Sequence, residues 1–106
     1  MRALAALLIL SGPSLAATSA DYARCAALWY GMVDAGRNIP GFIDNTTDAM
    51  ALARAFGDAA GEDAGALIEN ERPGMELLAR AYVYGDPQSI RLFDRLATRC
   101  AEIEPR

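Results

Sequence analysis

The chain contains no histidine and no lysine, and all ten of its basic residues are arginines. Without histidine there is no Ser-His or Cys-His dyad, no imidazole acid or base, and no histidine-bound zinc or haem. Without lysine there is no amine that forms a Schiff base. We therefore predict a protein that is not an enzyme and that carries no cofactor.

Several sequence motifs are also missing. The chain has no CxxC pair, no Walker glycine-lysine loop, no GxGxxG and no EF-hand spacing of acids. Carboxylates remain as possible catalytic or calcium-binding groups, and they are densest at Glu62, Asp63, Glu69, Glu71 and Glu76. Nothing in this pattern fixes the distance between two acids, so a solvated acidic face is favoured over a hydrolase site, and no metal site is predicted.

Long apolar runs are scarce. The one at the N-terminus, residues 3–10, follows Arg2 and precedes small residues, which is the pattern of a secretory signal peptide. We predict cleavage after Ala16, with Ala20 as the alternative site. This run is far shorter than the ~20 apolar residues that span a bilayer, so we expect export to the periplasm or medium and no stable membrane insertion afterwards.

The remaining residues, 17–106, are predicted to form a single helical domain. Its two cysteines, Cys25 and Cys100, allow one intramolecular disulfide, which is favoured over metal binding in an exported protein. A domain this small has a limited core, and such a bridge stabilises it by roughly 4 kcal/mol in the loop-entropy model. The net charge of −4 argues against nucleic acid as a partner.

Helical periodicity and capping residues predict four to five helices and no strand. The predicted elements are a helix over 21–35 capped by Ser19, one over 46–60 capped by Asn45, short helices over 63–71 and 73–84, and a last helix that begins at Pro87 after Asp86. The break before Pro73 follows from the steric restriction that proline places on the preceding residue. The predicted fold is an all-α bundle whose disulfide joins the first helix to the last.

Adjacent aromatic residues indicate a surface for a partner. Trp29 and Tyr30 cannot point to the same face of a helix, and the same holds for tyrosines 82 and 84. Exposed aromatic side chains are favoured at protein interfaces. With the apolar loop residues that follow the first helix, the aromatic candidates for partner binding are Trp29, Tyr30, Phe42, Ile43 and Tyr84, although core packing explains the same residues.

A row of arginines gives a second candidate surface. Arg91, Arg95 and Arg99 are spaced four residues apart and therefore lie along one side of the last helix. Such a row suits an anionic ligand or partner. Ion pairs with nearby acids on the same helix are the alternative explanation.

Three functions fit these observations. The favoured one is a non-enzymatic protein of the cell envelope that binds a protein partner, as an accessory subunit, inhibitor or immunity-type factor. The alternative is a periplasmic acid or stress chaperone that loosens when its carboxylates are protonated. The third is a small carboxylate-dependent hydrolase.

Overall fold

A computed structural model describes residues 16–105 of the chain. Within that range the fold contains four α-helices, one short 3₁₀ turn and no strand, which confirms the predicted all-α bundle. The helices are α1 (Ser19–Gly36), α2 (Thr46–Ala60), α3 (Gly65–Val83) and α4 (Pro87–Glu102), and the 3₁₀ turn is Glu62–Ala64. The predicted signal peptide, apart from its last residue, lies outside the described residues.

Helix α1 begins one residue earlier than a Ser19 cap implies. The N-cap is Thr18, whose side-chain oxygen accepts a hydrogen bond from the backbone N–H of Asp21, while the Asp21 carboxylate accepts one from the backbone N–H of Thr18. The predicted Ser19 cap is therefore wrong. The Ser19 hydroxyl instead donates to the carbonyl oxygen of Ala60 at 2.6 Å, which ties the start of α1 to the end of α2.

Helix α1 is the centre of the bundle, packed against α2 on one side and α3 on another, with α4 also in contact. Small residues allow this crowding: Ala23, Ala26, Ala27, Gly31 and Ala35 are all buried. The two helices approach each other closely at Gly31, where a methyl group would lie 2.5 Å from Cβ of Met75 on α3. The two helices therefore cross with almost no side chain between them.

Helix α2 begins at the predicted cap, since the Asn45 side-chain oxygen accepts a hydrogen bond from the backbone N–H of Asp48 at 3.0 Å. It buries Ala49, Ala53, Phe56 and Ala60 toward the core.

Helix α3 corrects the sequence prediction of two short helices. It runs without interruption through Pro73, which is exposed in the middle of the helix. A proline in a helix interior removes one backbone hydrogen bond and costs ~3 kcal/mol. The packing of Met75 and Ala79 in the core after the proline, and of Ile68 before it, offsets this cost.

Helix α4 begins as predicted, with the Asp86 carboxylate accepting hydrogen bonds from the backbone N–H and the hydroxyl of Ser89. Its buried residues are Phe93 and Cys100. The Phe93 ring lies 4.4 Å from the ring of Tyr82 on α3, measured between centroids. The predicted disulfide between Cys25 and Cys100 is confirmed, and it joins α1 to α4.

The core of the described chain is entirely apolar, with no buried polar or charged side chain. Among residues 16–105, no helix combines the length and the hydropathy that crossing a bilayer requires.

Candidate functional site

An apolar cavity of about 390 Å³ lies above helix α1. Helices α2 and α4 form its two walls and make at most a weak contact with each other, and the cavity is open on one side. Its lining residues are Leu28, Trp29 and Met32 of α1, Leu52 and Phe56 of α2, Phe93, Ala97, Cys100 and Ala101 of α4, and Ile103 and Pro105 beyond α4. None of these residues is charged.

A second cavity, of about 280 Å³, adjoins the first and shares Trp29, Met32 and Leu52 with it. The additional lining residues are Phe42, Ile43, Asp44 and Asn45 from the loop after α1, and Asp48 and Ala49 from α2. We call the two cavities together the Trp29 groove. The groove is apolar along its length and acidic only at the end that contains Asp44 and Asp48.

Local structure explains why these side chains line a groove rather than a closed core. Trp29 and Met32 are three residues apart and therefore lie on one side of α1, the side that α2 and α4 leave partly open. The loop between α1 and α2 turns at Pro40 and Gly41, where Gly41 has a φ of 80°. Its apolar residues Ile39 and Phe42 then pack against the core.

The structure brings together only some of the residues that the sequence suggested. Trp29, Phe42 and Ile43 line the same cavity. Tyr30 lies elsewhere, with the guanidinium carbon of Arg72 4.7 Å from the centre of its ring. Tyr84 lines neither cavity of the groove, and 77% of its surface is exposed at the end of α3.

The arginine row is not part of the groove either. Arg99 links α4 to the first turn of α1 and to the segment before it, since it donates hydrogen bonds to the Asp21 carboxylate at 3.1 Å and to the carbonyl oxygen of Ala16 at 3.3 Å. Arg91 and Arg95 are exposed on α4. Of the three arginines, Arg99 therefore makes a contact that stabilises the fold, whereas Arg91 and Arg95 face solvent.

The strongest charged contact in the described chain joins α1 to α3. Arg72 donates two hydrogen bonds to the Asp34 carboxylate, at 2.7 and 3.0 Å, and the two side chains are partly buried, with 26% and 13% of their surface exposed. These hydrogen bonds, with the nearby charge of Arg37, hold the pKa of Asp34 below its ordinary value despite the opposing effect of burial. Arg72 also lies over the Tyr30 ring, so this one side chain of α3 contacts two residues of α1.

Three of the five acidic residues that the sequence grouped together form ion pairs. Glu69 pairs with Arg72, and Glu76 lies 2.8 Å from Arg80 on the same helix. Glu71 lies 3.9 Å from Arg24 of α1. Within the described part of the chain, no three acidic or cysteine side chains are placed to hold a metal ion.

The sequence patterns did not indicate that a groove is lined by Met32, Leu52, Phe56, Phe93 and Cys100. Their apolar periodicity was visible, and it correctly indicated inward-facing positions. The missing information was the gap between α2 and α4, which no local pattern encodes.

Comparisons with protein-family models, curated proteins and solved structures found no match to this chain.

Proposed function

We propose that this chain is an exported, non-enzymatic protein of the cell envelope that binds a protein partner in the Trp29 groove. It would act as an accessory subunit, an inhibitor or an immunity-type factor. The observation that supports this most is the main cavity of the groove, which has a volume of about 390 Å³, is lined by no charged residue and is open to solvent beside the chain's single tryptophan. Apolar surface of this kind gains free energy when a partner covers it, at roughly 25 cal/mol per Å².

The composition of the groove resembles the centre of a protein interface. Interfaces are enriched in tryptophan, phenylalanine and methionine and depleted of charge at their centre. Trp29, Met32 and Phe42 are partly buried, so each keeps an accessible surface for a partner while the fold fixes its position. Such side chains lose little further conformational entropy on binding.

Three carboxyl groups have the opposite of the pKa shift that a general acid needs. A general acid needs a pKa raised toward neutrality, usually by burial. The pKa values of Asp21, Asp34 and Asp86 are instead lowered, because neighbouring donors form hydrogen bonds with their carboxylates. These three groups therefore remain charged and act as helix caps or ion-pair partners.

Export is supported by the disulfide and by the sequence of residues 1–16. A disulfide between Cys25 and Cys100 is compatible with an oxidising compartment outside the cytoplasm. The N-terminal sequence has the order of a secretory signal: a basic residue, an apolar run and small residues.

Two matched variants on α4 test the proposed site. Ala101 is exposed and lines the groove, whereas Thr98 is exposed on α4 and does not line it. Ala101→Arg places a charged side chain in the groove, and Thr98→Arg adds the same charge outside it. Both substitutions introduce arginine near the C-terminus of a helix, where a cation is favourable, so both variants should fold.

The experiment recovers partners of the tagged protein from its own cell envelope and identifies them by mass spectrometry. We expect the same protein to be recovered with wild type and with Thr98→Arg and to be lost with Ala101→Arg. The purified partner should then bind wild type and Thr98→Arg with similar affinity and Ala101→Arg much more weakly. Equal affinity of that partner for all three forms would contradict the groove as the binding site.

A further inference from the structure

We infer that the Trp29 groove accepts an amphipathic α-helix of the partner, with a basic residue of that helix placed beside Asp44 and Asp48. This inference specifies the partner's chemistry and depends on the proposed binding function. It follows from the shape of the groove, from the kind of atoms that line it and from the position of its charges.

The groove is surrounded by helices in the way that a further helix of the bundle would be. Its floor is a helix, α1, and its main cavity has helix α2 on one side and helix α4 on the other. The lining side chains leave these helices at helical spacing, as Leu28 and Met32 or Leu52 and Phe56 do. Side chains spaced in this way form ridges and grooves that pack best against another helix.

The lining atoms also favour a helix over an extended peptide. The groove is lined mostly by apolar side chains, and no strand exists among the described residues to pair with an added strand. The backbone N–H and C=O groups of an extended segment would therefore be buried without hydrogen-bond partners, which is costly. A helix satisfies these groups internally and presents only apolar side chains at i, i+3, i+4 and i+7.

The charges of the groove fix the direction in which such a helix lies. Asp44 and Asp48 are exposed at one end, and neither forms an ion pair with an arginine of the described chain. The N-terminus of α2 at that end is already capped by Asn45, so its N–H groups do not call for an anionic ligand. Two unpaired carboxylates at the rim of an interface attract a cationic side chain and repel an anionic one.

Synthetic peptides test this inference without knowledge of the natural partner. The first peptide is an amphipathic helix with leucines at i, i+3, i+4 and i+7 and two arginines at one end. The second replaces those arginines by glutamates. The third has the composition of the first in an order that destroys the apolar face. The fluorescence of Trp29, the only tryptophan, and its protection from acrylamide report occupancy of the groove.

We expect the arginine peptide to bind at least tenfold more tightly than the glutamate peptide and the scrambled peptide not to protect Trp29. In Asp44→Asn/Asp48→Asn the preference should fall to about twofold or less. Glu62→Gln/Asp63→Asn, which removes the same charge from exposed residues outside the groove, should retain the full preference. Circular dichroism should show that the bound arginine peptide is helical.

Several results would overturn the inference. Equal affinity for the arginine and glutamate peptides would show that the two aspartates do not recognise a basic residue. Binding of the scrambled peptide, or of an alkyltrimethylammonium ion but of no peptide, would show that the groove recognises apolar material rather than a helix. Concentration-dependent dimerisation that Ala101→Arg abolishes would identify a second copy as the occupant. If no peptide binds while Ala101→Arg still loses the natural partner, this inference fails and the proposed function stands.

Discussion

Replacing Gly31 by alanine adds one methyl group at a close contact between α1 and α3. The new Cβ would lie 2.5 Å from Cβ of Met75 and 2.7 Å from the backbone nitrogen of Glu76. Carbon atoms in good contact are ~3.5–4.0 Å apart, so the overlap is about 1 Å. Because two of the three nearest atoms belong to the backbone of α3, a side-chain rotation cannot relieve it.

The expected loss of stability combines two opposite effects. Alanine stabilises a helix interior by about 0.5–1 kcal/mol relative to glycine. Overpacking of a core costs typically ~1–3 kcal/mol and occasionally more, and a clash with backbone belongs at the upper end of that range. We therefore expect Gly31→Ala to lower the free energy of unfolding by about 2 kcal/mol, which corresponds to a fall in Tm of about 8–16 °C for a domain of this size.

Gly57→Ala is the matched control for helix propensity. Gly57 is inside α2, and a methyl group there would lie 3.8 Å from Cδ1 of Ile68, an ordinary contact. This variant should be as stable as wild type or more stable by up to ~1 kcal/mol. Thermal and urea unfolding followed by far-UV circular dichroism measures both variants. If Gly31→Ala matched Gly57→Ala in stability, the close crossing of α1 and α3 would be refuted.

Two further predictions concern the links that hold the helices together. Replacing both Cys25 and Cys100 by serine should cost roughly 4 kcal/mol, most of the stability of so small a domain, and an unchanged urea midpoint would contradict this. Asp34→Asn should destabilise the fold by about 1–2 kcal/mol at neutral pH, because the hydrogen-bonded ion pair with Arg72 is lost. Since pairing lowers the folded-state pKa of Asp34 below its ordinary 3.8, its contribution is complete above about pH 5 and disappears as the pH falls through that lowered value. Unfolding curves of wild type and Asp34→Asn should therefore converge at low pH, and a constant difference would exclude the ion pair as the cause.

Local sequence signals predicted most of the helix boundaries. Asn45 and Asp86 cap α2 and α4 as expected, because each offers a side-chain oxygen to a backbone N–H three residues ahead. At the start of α1, both Thr18 and Ser19 have a hydroxyl group that is suitable for an N-cap. Thr18 takes it, since a contact 41 residues away in the chain engages the Ser19 hydroxyl.

The prediction failed where distant contacts outweigh local preference. Pro73 indicates a helix boundary by every local rule, yet α3 continues through it. Met75 and Ala79 are buried against the rest of the core, and Arg72 is anchored to Asp34 just before the proline. The core packing after Pro73 and the ion pair before it stabilise the helix by more than the missing backbone hydrogen bond costs. Both contacts involve residues far away in the chain, so the sequence around Pro73 does not indicate them.

The same limit applies to the site. The sequence indicated Trp29, Phe42 and Ile43 as a cluster because they are large, apolar and close in the chain. It did not indicate that α4 contributes the opposite wall. That arrangement depends on the spacing between helices, which is set by small residues on α1 and by the disulfide.

Cys100 belongs to the disulfide and also lines the groove. The bond that joins α1 to α4 thus holds one wall of the groove against its floor. In a reduced chain, no cross-link joins this wall to the floor, and α4 is held there only by non-covalent packing and by its chain connection to α3. Under the proposed function, we therefore expect the reduced chain to bind its partner more weakly than the oxidised chain does.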